Sequence, residues 1–307
     1  MRALMFAFCA GVSALLLMAP ARAAEDCTLQ RIASVDMGID TNGRMTVPMM
    51  AGAEHLTMLV DTGGLITAIS NSVADSQRWR ISLVNARVEV YGGLTLSTFT
   101  IAHDIDLGGL KASSMSVLVM PDAALPDGVR GLLAPDILRG FDDDFDFANA
   151  KLNLYSPKHC DGQVVYWTKD PYAQIGIRID RDGHMVIPVT LDGKKAKFGL
   201  DTGASISVMD WDTAKDLFGI DEHSPGVTEV KDEDGRHSVY RYAFKDLTFG
   251  NADTGAVSVA NPVITLVPSN VSNMRHQNLI GIGIMRKLHL YVAYQEQNLY
   301  VTPAAAH

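Results

Sequence analysis

Apolar and polar positions in this chain alternate with the period of a strand more often than with that of a helix. "RMTVPMM" (44–50) and "HMVIPVTL" (184–191) alternate directly after a glycine turn, the pattern of a strand with one face buried. "LTMLV" (56–60) and "AKFGL" (196–200) are apolar runs that stop at an Asp-Thr-Gly turn. "VEVYGGLTLSTFTI" (88–101) reads as two β-rich arms joined at Tyr91-Gly92-Gly93, a hairpin signal. "SVLVMP" (116–121) and "PVITLVP" (262–268) are further strands ended by proline. A helix is expected at "WDTAKDLFGI" (211–220), with Asp210 or Asp212 capping its start and Gly219 its end.

The pattern occurs twice. "IDTNGRMTVPM" (39–49) falls on "IDRDGHMVIPV" (179–189), and the match runs without a gap to Asp61 and Asp201. Further on, "LLAPDILRGFDDDFDFANAKLNLY" (132–155) falls on "LIGIGIMRKLHLYVAYQEQNLYVT" (279–302). The repeated unit is thus a domain of roughly 130 residues, not a short solenoid motif. Two lobes are expected, 24–160 and 175–307, with 161–174 as a turn-rich linker. In "FDDDFDF" (141–147), Phe141, Phe145 and Phe147 share one face. Asp142, Asp144 and Asp146 are therefore expected on the solvated face of a strand. Their spacing is not that of a calcium loop, so no metal is expected.

The N-terminus adds a location. Arg2, the apolar run 3–20 and "ARA" at 21–23 form a signal peptide (1–23) cut between Ala23 and Ala24. The alternative is a membrane anchor, but the run is short for one and ends at Pro20. A periplasmic or secreted protein without a stable membrane span is expected. Of three cysteines, Cys9 leaves with the leader, and Cys27 and Cys160 bracket the first lobe. In a secreted chain such a pair is expected as a disulfide, the alternative being two buried thiols. The formal net charge is −9 and no basic stripe appears, so nucleic acid is not an expected partner.

The candidate chemistry lies in the two turns. A carboxylate on a tight turn after an apolar strand is held rigidly. If the two units pack about a pseudo-two-fold axis, the carboxyls meet, cannot both ionise cheaply, and share a proton. One can then take a proton from water while the other polarises a carbonyl, which hydrolyses an amide without metal or cofactor. Rival signals are missing: there is no His-Glu-x-x-His, "GASIS" (203–207) is no serine elbow, and "GIG" (281–283) lacks a dinucleotide site's third glycine.

With Asp61-Thr62-Gly63, Asp201-Thr202-Gly203-Ala204-Ser205 and the downstream "LIG" (279–281), the chain resembles the retropepsin-like bacterial aspartic proteases over nearly its whole mature length. The resemblance implies an all-β fold with a few short helices, built as two closed-barrel lobes related by a pseudo-two-fold axis. It implies an aspartic endopeptidase acting on peptides or proteins, a monomer in which the second lobe stands where viral members have a second chain. It implies Asp61 and Asp201 as the catalytic pair, Thr62 and Thr202 as braces across the axis, and Gly63, Gly203, Ala204 and Ser205 as support. It implies a flap at Tyr91, Gly92 and Gly93, and "DEDG" (232–235) as a charged counterpart. Two positions depart from the pattern: Leu65 stands where the second half has Ser205, and Ala134 where it has Gly281. Both leave open a weak or inactive peptide-binding protein of the same fold.

Overall fold

The computed structural model describes residues 27–90, 94–181, 183–232, 235–268 and 278–305. They form a mostly β structure in three sheets. The first half holds an eight-stranded sheet and the second a ten-stranded one. The third, of six strands, is shared in the order Arg31–Asp36, Lys151–Tyr155, Asp142–Asp146, Leu288–Ala293, Asn298–Pro303, Ala173–Gly176. Its two central strands come from different halves, with Asp144 opposite Tyr291 and Phe145 opposite Leu290. The pseudo-two-fold axis runs between them. Residues 1–23, where a signal peptide is expected, lie outside the described residues, and no helix among those described is long and apolar enough to cross a membrane.

The repeat is visible strand by strand. Met45–Ala51 and Met185–Leu191 each bury alternate side chains and turn a proline, Pro48 or Pro188, outward. Each proline falls between two stretches of lateral pairing. Met45 and Thr46 pair with Ile39 and Gly38, while Met50 and Ala51 pair with Asp106 and Ile105. Proline, which cannot donate, is tolerated in such a gap. The long strands Leu94–Leu107 and Leu110–Met120 of the first half are each split in the second, into Ser238–Ala243 with Asp246–Asn251 and Gly255–Ala260 with Val263–Val267. The expected helix is present as Trp211–Phe218, its N-cap Asp210 accepting from the Thr213 N–H and Gly219 closing it at φ 68°. One core cluster spans both halves and includes Val60, Leu133, Phe145, Leu200, Ile280 and Leu290. Each such side chain contributes roughly 1.5–3 kcal/mol by leaving water, so the two halves share their main driving force.

Residues 156–172 form no helix or strand. They lie as a strap over the outer face of the six-stranded sheet. The Cys27–Cys160 disulfide ties the strap to the start of the first half, across 133 residues of sequence. Val164 is buried, and the Trp167 indole N–H donates to Thr302 Oγ1 at 3.0 Å.

The strap overturns one expectation. Asp142, Asp143 and Asp144 are not solvated; all three are buried. The alternation of "FDDDFDF" does place Asp142 and Asp144 opposite the core face. That second face is covered, however, because the strand is central in its sheet and the strap packs onto it. Asp142 meets His159 at 2.5 Å, and Asp144 meets His289 at 2.5 Å, the Tyr166 hydroxyl at 2.6 Å and Asn153 Nδ2 at 2.9 Å. Asp143 turns to the other face toward Tyr294. Among the described residues its two buried oxygens have no hydrogen-bond partner, and burial pushes its pKa well above the ordinary carboxylate value.

A raised carboxyl pKa means that the folded state holds the proton. The stability it contributes is fully present below the ordinary unfolded value and is lost as pH rises through the folded one. Asp143→Asn mimics the protonated form. The expected outcome is a smaller fall in Tm between about pH 5 and about pH 8 than in the wild type, read by calorimetry. Equal falls in both proteins would show that Asp143 does not set the pH dependence.

Candidate active site

The two Asp-Thr-Gly turns follow strands Glu54–Val60 and Lys194–Asp201. Each strand pairs in parallel with the apolar-pair element of its own half: Val60 with Leu133, Leu200 with Ile280. A strand flanked in this way leaves its terminal aspartate at the edge of the core, on the axis between the halves.

The threonines exchange hydrogen bonds across that axis. Thr62 Oγ1 donates to the Leu200 carbonyl at 2.9 Å and accepts from the Thr202 N–H at 3.0 Å. Thr202 Oγ1 donates to the Val60 carbonyl at 2.6 Å and accepts from the Thr62 N–H at 3.0 Å. Both threonines are buried. Each hydroxyl thus satisfies one backbone donor and one backbone acceptor that would otherwise be orphaned in the interior.

The lock brings the carboxyl groups together. The Gly64 N–H donates to Asp61 Oδ1 at 2.8 Å, and the Gly203 N–H to Asp201 Oδ1 at 2.8 Å. A methyl group on Gly63 would lie 2.3 Å from Asp201 Cγ, and one on Gly203 would lie 2.6 Å from Asp61 Oδ1. Glycine at these positions lets each carboxyl rest on the opposite loop. Both aspartates keep part of their surface open to solvent, while loop atoms pack around the carboxyls. Burial first, and the Asp201 carboxylate second, push Asp61 up to about 7. Burial also raises Asp201, against the hydrogen bonds from Gly203 and from Asp61.

The halves differ where the sequence departs from the pattern. In the second half the Ile282 N–H donates to the Ala204 carbonyl at 2.9 Å, and the Gly281 N–H to Ser207 Oγ at 3.0 Å. A methyl group on Gly281 would stand 2.3 Å from the Ile206 carbonyl oxygen. In the first half Pro135 occupies the place of Ile282 and has no N–H to give, so the loop lacks that bond. Ala134 fits, fully buried, with its N–H on Thr67 Oγ1 at 3.1 Å. Thr67 in turn donates to Asp136 Oδ1 at 2.6 Å. Leu65 has no hydroxyl to offer, but its Cδ2 lies over Gly183 of the other half, 2.9 Å from where a Cβ would be. Ser205 lies in the loop of the second half, its carbonyl 3.3 Å from a methyl group placed on Gly283.

The structure brings together Asp61, Thr62, Gly63, Asp201, Thr202, Gly203 and Ala204. Tyr91, Gly92 and Gly93 lie outside the described residues, between the arms Ser82–Val90 and Leu94–Leu107. Asp232 and Gly235 of "DEDG" stand at the turn that joins Thr228–Lys231 to Ser238–Ala243. The Cys27–Cys160 disulfide joins the strap to the start of the first half and is no part of the carboxyl pair. Sequence reasoning missed Thr67, Asp136, Ser207 and Arg44. Thr67 and Ser207 had a signal: each follows its aspartate by the same interval in both halves. Arg44 had none. It pairs with Asp40 at 2.7 Å and reaches across to the Gly203 carbonyl at 3.4 Å. Among the described residues no group of His, Cys, Asp and Glu is arranged to hold a metal.

The contrast between Gly281 and Ala134 is testable. Gly281→Ala is expected to lower stability by about 1–3 kcal/mol through overpacking against backbone. Ala134→Gly is expected to cost no more than about 1 kcal/mol, chiefly through backbone entropy. Denaturant unfolding of both variants measures the difference, and equal costs would contradict the asymmetry.

A family model described as aspartyl protease matches residues 22–134 and 187–283, stretches that contain each turn with its apolar-pair element. No curated protein matches the chain. With the family model covering more than half of it in two repeated regions, the chain belongs to the aspartyl protease family, in a retropepsin-like form with two lobes.

Proposed function

We propose that the protein is an aspartic endopeptidase, acting in the periplasm or outside the cell, that hydrolyses peptide bonds through Asp61 and Asp201. The observation that carries this reading is the reciprocal threonine lock, which holds two carboxyls of raised pKa side by side. Like charges so close cannot both persist, so the pair keeps one proton between them. The ionised member takes a proton from a water whose oxygen attacks the peptide carbonyl carbon. The protonated member gives its proton to the carbonyl oxygen. Collapse of the tetrahedral diol breaks the C–N bond, the leaving nitrogen takes up a proton, and the pair returns to its starting state.

An extended peptide lying in the cleft would be held by main-chain hydrogen bonds. A flap role is proposed for Tyr91, Gly92 and Gly93, which lie outside the described residues between strands Ser82–Val90 and Leu94–Leu107. Leu65 and Ile206, both exposed beside the turns, offer apolar contacts. The disulfide supports an oxidising compartment. Both Asp loops come from one chain, which supports a monomer.

Digestion of a peptide library, read by mass spectrometry, tests the proposal. Asp61→Asn and Asp201→Asn are each expected to lower cleavage by at least about a hundredfold. Binding of peptides without cleavage by the wild type would replace the enzyme with a peptide-binding protein. The pH profile is a separate test. With Asp61 raised to about 7, the shared proton is held below that value and lost above it. Cleavage is therefore expected to persist toward neutral pH and to fall as pH rises beyond it.

A further inference from the structure

The strap rests on a buried layer of acids and imidazoles that the carboxyl pair does not use. His159, in the strap, places Nε2 at 2.5 Å from Asp142 of strand Asp142–Asp146 and Nδ1 at 3.4 Å from Glu296, in the turn after strand Leu288–Ala293. Asp142 also accepts from the Tyr291 hydroxyl at 3.2 Å. His289, on strand Leu288–Ala293, faces Asp144 at 2.5 Å and Asp146 at 3.8 Å, and the strap's Trp167 stacks on its ring at 4.2 Å. Asp144 therefore joins both halves and the strap: its partners are Asn153, His289 and Tyr166. Glu296 accepts from the Gly162 N–H at 3.2 Å and the Tyr300 hydroxyl at 2.5 Å.

Nearly every polar contact of strap segment 159–167 with the sheet ends on one of these carboxylates, and two imidazoles, His159 and His289, lie against them. The side chains of His159, Asp142, His289 and Asp144 are almost wholly shielded from water. A buried carboxylate that loses its partner charge is left at a cost of several kcal/mol. The disulfide pins residue 160, so the free length of the strap runs from 161 to 172.

We propose that residues 161–172 form a pH-governed latch over the axis between the halves, held shut while His159 is charged between Asp142 and Glu296, the carboxylate that also takes the Gly162 N–H, and released as pH rises. The direction follows from linkage. Burial works against a charged His159, but the hydrogen bonds to Asp142 and to the Cys160 carbonyl, with the charges of Asp142 and Glu296, hold it above its ordinary value. A group raised on folding stabilises below its unfolded pKa and loses that contribution as pH climbs through the folded value. Burial raises Asp142 as well, with the same sign. Opening the latch bares the outer face of the sheet in which the two halves meet, strand Asp142–Asp146 beside strand Leu288–Ala293.

Amide hydrogen exchange of residues 161–168, corrected for intrinsic rates, tests the latch without reference to catalysis. The full chain carrying Asp61→Asn serves as the sample, so failure of the protease reading leaves this result intact. The expected result is protection at about pH 6 that falls at least tenfold by about pH 9, the scale of one hydrogen bond to a charged group. The amides of the core strands should keep their protection. His159→Gln should abolish the pH step. Tyr166→Phe, at a half-exposed position that tolerates change, should lower protection at every pH while keeping the step. Protection that does not vary with pH, or a step that survives His159→Gln, overturns the latch. If His159→Gln does not fold, the wild-type titration and Tyr166→Phe decide the matter alone.

Discussion

Two carboxyl groups stay side by side only if the loops beneath them cannot move apart. Here that constraint is met by two threonine hydroxyls, each donating to a carbonyl and accepting from an N–H of the opposite half. The bonds are buried, so breaking them would orphan four backbone groups at once. The elements next to it serve this junction. The parallel pairing of each Asp strand with its apolar-pair element sets the depth of the loop, and the glycines at 63 and 203 let the carboxyls approach.

Duplication supplied two equal halves, and the structure shows how they have diverged without losing the junction. The second half keeps the close approach of Gly281 to its loop. The first gives it up, because Pro135 has no N–H to bring the loop in, and Ala134 takes the space. Thr67 and Asp136 then tie the loop from the other side. Leu65 trades a hydroxyl for an apolar contact with Gly183. Both departures are thus balanced by neighbours in contact with them.

Behind the junction lies the six-stranded sheet, whose central strands pair one half with the other. Its inner face, Asp143 apart, is apolar and continuous with the core. Its outer face is a polar layer sealed by the strap. Such a layer gains little stability over an apolar one, because desolvation offsets most of the attraction between charges. What it adds is dependence on protonation: Asp142 and His159 of this layer shift in the direction that favours the protonated state, as do Asp143 on the inner face and the Asp61–Asp201 pair.

Much of this was legible in the sequence, because strand period, turn chemistry and repetition are local properties. The alternation in 44–50 and 184–191, the cap and stop of helix Trp211–Phe218, the twin Asp turns and the pairing of Cys27 with Cys160 needed no third dimension. The environment of Asp142 and Asp144 could not be read this way. Period two says which face a side chain takes, but not what lies on that face, and the strap that covers it comes from elsewhere in the chain. The same holds for Arg44 on Gly203 and Leu65 on Gly183, contacts across an axis that a one-dimensional repeat implies but does not dimension. The sequence by itself determined the two units and the chemistry of their turns. Only the tertiary structure decided which charges are buried and what they face, because burial depends on packing between segments far apart in the chain.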